Sequence, residues 1–130
     1  MTTPIITEAI VDIARSFAGL IRDIDPAFVK AYLRLRCNET SAEAKASYVG
    51  SDGAVKIVDV LQHKAFFHAA APSGRQLLSR LEKIKGVVVL VLASDMTYEL
   101  KFDYVDVDRW AITKLNGGSG IPEGLEIDDA

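Results

Sequence analysis

The stretch "GVVVLVLASDMTYELKFDY" (residues 86–104) decides the fold. Residues 87–93 are apolar at every position. A strand with that pattern has no wet side, so both of its faces must be covered. As a helix the run is too short to cross a bilayer, which takes about 20 residues. The second half alternates instead. Tyr98, Leu100, Phe102 and Tyr104 point one way, and Thr97, Glu99, Lys101 and Asp103 the other. Ser94 and Asp95 start a turn between the halves, so the stretch reads as a hairpin with a central first strand.

Working outward, residues 4–22 read as an amphipathic helix. Ile6, Ile10, Ile13, Phe17 and Leu20 recur at three- and four-residue steps. Asp25-Pro26 ends it, because the residue before proline is pushed out of the α region. "AFVKAYLRLRCNE" then switches to period two, with Val29, Ala31, Leu33, Leu35 and Cys37 on the core side. "AEAKASYV" is a second strand, "GSDG" a hairpin turn, and "AVKIVDVL" a third strand. Pro72 and Ser73 suit the first turn of a helix that carries Leu77, Leu78, Leu81 and Ile84 inward and stops at Gly86. Residues 64–70 fit either a short separate helix or a loop. The element order α-β-β-β-α-β-β implies a two-layer α+β domain: an antiparallel sheet of about five strands with helices packed on it. Residues 1–112 make up this single domain. "NGGSGIPEGLEIDDA" gives residues 113–130 the composition of a flexible acidic C-terminal tail.

A chain of 130 residues is long enough for its own core without disulfides. The lone Cys37 cannot form an internal disulfide and reads as a buried strand residue. The first ten residues lack a basic segment followed by an apolar core, so the expected location is the cytoplasm, with no membrane association. The net charge of −3 is unevenly spread. Residues 95–130 hold nine acids and three bases, a net of −6, and the rest of the chain is net +3. An acidic third repels nucleic acid and attracts a basic protein.

Motifs for catalysis are sparse. His63 and His68 are five residues apart and have no ligand set around them, so no metal is expected. There is no nucleophile elbow and no phosphate-binding glycine loop. Glu99 and Asp103 lie on one strand face with Lys101 between them, an exposed setting that does not push two carboxylate pKa values apart. The reading is therefore no enzyme, no catalytic residues and no cofactor. Lys30, Tyr32, Arg34 and Arg36, with Lys45 and Lys56 on neighbouring strands, form a basic stripe of the kind that reads single-stranded nucleic acid. It has a single aromatic residue and sits in a net-acidic chain, so no nucleic-acid partner is expected.

Three segments carry a resemblance: "IDPAFVKAYLRLR" (24–36), "ASYVGSDG" (46–53) and "MTYELKFDYVDVDRW" (96–110). In their order the chain resembles the YezG-like immunity proteins, small bacterial antitoxins. The resemblance implies a protein that docks on a cognate secreted toxin domain, of nuclease or deaminase type, and covers its active site. The expected contact residues are Asp95, Glu99, Asp103, Asp106, Asp108 and Trp110, facing a basic toxin domain. The same element order is also similar to that of type III secretion chaperones, acidic dimers that hold an effector and end on a further helix. That reading leaves a homodimer open. A small-molecule-binding or enzymatic α+β domain is the remaining alternative.

Overall fold

The computed structural model of the chain describes residues 3–125. In chain order these form α1 (Thr3–Ile24), β1 (Lys30–Cys37), β2 (Ala42–Val49), β3 (Val55–Ile57), α2 (Lys64–Arg80), β4 (Gly86–Ala93) and β5 (Tyr98–Asp103). A 3₁₀ turn follows at Leu115–Gly117. The expected α+β order and the five-stranded antiparallel sheet are both present.

The strands lie in the order β3-β2-β1-β4-β5, so β1 and β4 are central. The register fixes the faces. Leu33 sits opposite Ala46 and Leu90, and Leu35 opposite Ala44 and Val88. These residues face the helices, together with Leu92, Leu100 and Phe102. From α1, Ile13, Ala14, Phe17 and Ile21 are buried against this face, and Ile10 and Leu20 pack at its margin. Ile6 lies outside the described side chains. Cys37 is fully buried here, and desolvation raises its thiol pKa.

Helix α2 differs from expectation at both ends. It begins at Lys64, and Pro72 lies inside it. The exposed proline has no N–H to give to the carbonyl of His68, a loss that normally costs about 3 kcal/mol. Phe67, Ala70, Gly74, Leu77 and Leu78 form one buried stripe across the break, and their burial holds the helix together. Gly74 sits where α2 meets β1: a Cβ there would lie 3.0 Å from Leu35 Cβ.

The helix also stops early. The Lys83 N–H donates to Leu78 O and the Glu82 N–H to Ser79 O, a Schellman closure. Glu82 takes the left-handed position at φ 61°. Ile84, expected inward, is therefore 72% exposed, and Gly86 opens β4. Strand β3 is also shorter than expected, three residues in place of eight, and gives way to a turn through Val60 and Leu61.

The second face of the sheet is not wet. Residues 105–125 cross it as a strap. Trp110, Ile112 and Ile121 pack with Tyr32, Val49, Val87, Val89 and Val91 into a second core, and Leu125 joins its edge. Ile121, which falls within the expected tail after residue 112, is only 7% exposed and belongs to this second core. Residues 126–130 of the expected tail lie outside the described residues. Strand β4, apolar throughout, has its odd-numbered valines under the strap and Val88, Leu90 and Leu92 under the helices.

Candidate functional site: an acidic loop clamped over the covered sheet face

The expected basic stripe of β1 is the anchor of the strap. Tyr32 is 1% exposed and Arg34 8%. Arg34 Nε donates to the carbonyl of Arg109 at 3.0 Å, and its Nη2 to the carbonyl of Val107 at 2.9 Å. Arg36 Nε donates to the same Val107 oxygen at 3.1 Å. Its Nη2 reaches Asp108 at 2.9 Å and its Nη1 Glu43 at 3.4 Å. Two adjacent guanidinium forks thus hold the backbone of residues 107–109 against the sheet. Burial lowers the Arg34 pKa from its ordinary value, with Glu43 acting against that and Arg36 adding to it. An arginine still remains charged at neutral pH.

Asp103 closes the loop from the other side. One of its oxygens accepts the N–H groups of Val105 and Asp106, both at 2.9 Å. The other accepts Arg109 Nη1 at 3.1 Å. These bonds, led by the one from Asp106, hold the Asp103 carboxyl below its ordinary pKa. Asp106 in turn accepts the N–H of Asp108 at 3.1 Å, and the Arg109 N–H donates to Asp106 O at 3.2 Å. The result is a tight loop that pushes Val105 outward at 83% exposed. The Asp108 side chain is 81% exposed even while paired with Arg36.

Trp110 ends the loop in the left-handed region at φ 61°, an uncommon place for a bulky residue. Its ring is 5% exposed and carries the Arg109 guanidinium 4.5 Å above it. Its position in this structure is the second core, not the surface.

The six expected contact residues are therefore not one patch. Asp103, Asp106 and Asp108 share the loop after β5. Asp95 lies in the turn before β5, where it accepts the Thr97 N–H at 3.0 Å and the Thr97 hydroxyl at 2.6 Å. These bonds, the hydroxyl first, lower its pKa. The six residues of β5 separate the two ends by about 20 Å. Glu99 stands between them on the strap side, 3.8 Å from Lys101.

Sequence reasoning missed Arg34 and Arg36 as loop anchors, and it missed Val105 and Ile121. One signal was available: an all-apolar β4 requires a cover on both faces, and two helices supply only one. Among the described residues, no group of three or more His, Cys, Asp or Glu side chains is placed to hold a metal ion. Among them also, no helix is long and apolar enough to cross a membrane. No protein-family model matches the chain, and no curated protein matches its sequence.

Proposed function

We propose that this domain is a binding protein of the immunity type. It docks on a basic partner, a secreted toxin domain of nuclease or deaminase class, and occludes the partner's active site. The observation that carries this reading is the built acidic loop at residues 103–109. Arg34, Arg36 and Asp103 fix its backbone, while Val105 and Asp108 stand outward. A loop already held in one shape loses little conformational entropy on binding. Its carboxylates steer a basic partner and raise the association rate. Asp106 and Asp108 supply the charge and Val105 the apolar contact. Asp103 shapes the loop, and Trp110 supports it from beneath.

The test is complex formation with the basic protein encoded beside this gene, followed by size exclusion and stopped-flow association. Asp106→Lys with Asp108→Lys is expected to slow association at least tenfold at low salt, with a smaller effect at high salt. Failure to form a complex, or an association rate that ignores the charge reversal, would refute the reading.

A further inference from the structure

A separate cleft opens beside the strap, on the β2–β3 side of the sheet. It has a volume of about 420 Å³ and is lined by Arg34, Glu43, Lys45, Ile57, Val60 and the strap residues Ala111–Thr113. Clefts that hold small ligands start at about 300 Å³. Its polar groups are mostly hydrogen-bond donors. Arg34 spends Nε and Nη2 on the strap, which leaves Nη1 without a hydrogen bond among the described residues. Lys45 stands directly opposite Arg34 in the register and makes no ion pair among the described residues. Glu43 is engaged by Arg36 at 3.4 Å.

The next row of the same sheet face repeats this imbalance. Tyr32 and Ser47 are directly opposite one another, and Ser47 is opposite Ile57 of the cleft wall. Both hydroxyls are buried and make no hydrogen bond among the described residues. Burial alone pushes the Tyr32 phenol up to about 12, so it stays a protonated donor. A buried hydroxyl left unpaired costs about 1–3 kcal/mol. Tyr32 and Ser47 lie on the same sheet face outside the cleft lining; within it Arg34 and Lys45 offer protons, and among the lining residues the acid is Glu43, which pairs with Arg36.

We infer that this cleft binds a small anionic amphiphile: a carboxylate or phosphate head on an aliphatic body. The head lies against Arg34 and Lys45. The body lies along Ile57, Val60 and Ile112. This site is independent of the acidic loop and does not rest on the immunity reading.

Trp110, the sole tryptophan, neighbours the cleft through Ala111 and reports on it. Octanoate, octyl phosphate, inorganic phosphate and octylamine are titrated into the full chain while Trp110 emission and Tm are followed. Saturable binding of octanoate or octyl phosphate is expected, and the tighter of the two identifies the head group. Octylamine is expected not to bind, and inorganic phosphate to bind at least tenfold more weakly than octyl phosphate. Lys45→Glu is expected to weaken binding at least tenfold, and Lys64→Ala on α2 to leave it unchanged. The inference is overturned if neither amphiphile saturates, if Lys45→Glu binds like the parent, or if octylamine binds equally well.

Discussion

Replacing Arg34 by methionine isolates what ties the strap to the sheet. Methionine keeps most of the apolar stem and removes the donors to Arg109 O at 3.0 Å and Val107 O at 2.9 Å. A hydrogen bond to a charged group contributes about 1.5–3 kcal/mol. Val107 O keeps a second donor in Arg36 at 3.1 Å, so its loss is partial, whereas Arg109 O loses its guanidinium partner outright. The expected destabilisation is therefore about 2–3 kcal/mol, below the sum of two full bonds. At an m-value of about 2 kcal/mol/M, this lowers the urea midpoint by about 1–1.5 M. Trp110 sits in the strap and is the only tryptophan, so its emission follows the strap while far-UV circular dichroism follows the helices and sheet. If the strap leaves first, the emission transition precedes the dichroism transition; if the two cores unfold together, both shift. Arg34→Lys is expected to fall between, because one ammonium cannot match the fork that spans both carbonyls. Arg22→Met, on an exposed position of α1, is the control and should stay within about 0.5 kcal/mol of the parent. A midpoint for Arg34→Met within about 0.2 M of the parent, with unchanged emission, would refute the clamp.

Two further outcomes follow from backbone strain and from titration. Glu82→Gly is expected to add about 1 kcal/mol of stability, since Glu82 holds the left-handed position of the α2 closure at φ 61°. A Tm rise of about 3–5 °C checks it, and a fall would mean that the Glu82 side chain does more than turn the chain. The Asp103 carboxyl has a folded pKa below its unfolded value, so its contribution is present above the unfolded pKa and is lost as pH falls through the folded one. Asp103→Asn is therefore expected to lower Tm near neutrality and to flatten its decline below about pH 4, and parallel pH profiles would contradict that sign.

Much of the fold was legible because burial imposes a period. The 3.6-residue stripe Ile10–Ile13–Phe17–Leu20 marked α1, and the two-residue alternation of β1 and β5 marked strands. The misreadings share one cause, which is that local rules yield to tertiary burial. Pro72 marks a helix start by propensity, yet Phe67 and Ala70 upstream of it belong to the same buried stripe as Leu77. Glu82 gives no sign of a left-handed residue, so local rules put the end of α2 at the next glycine. The charged side of β1 looked wet because Lys30, Arg34 and Arg36 alternate with apolar residues. Arginine can lie under a strap when backbone carbonyls of that strap satisfy its donors.

The same contrast holds for the candidate site. Acid clusters are visible as composition, so Asp103, Asp106 and Asp108 were found together. Composition carries no distances, so it joins Asp95 and Glu99 to them across the length of β5 and gives no sign that Trp110 is buried.

By itself the sequence determined the order and type of the main elements and the two-sided burial of β4, because apolar spacing reports directly on which side chains must leave water. Only the tertiary structure decided what covers the second face of the sheet. The residues that do so, Trp110, Ile112 and Ile121, are scattered through a glycine-containing segment with no period of its own. They are positioned by guanidinium bonds to backbone more than 70 residues away in the chain.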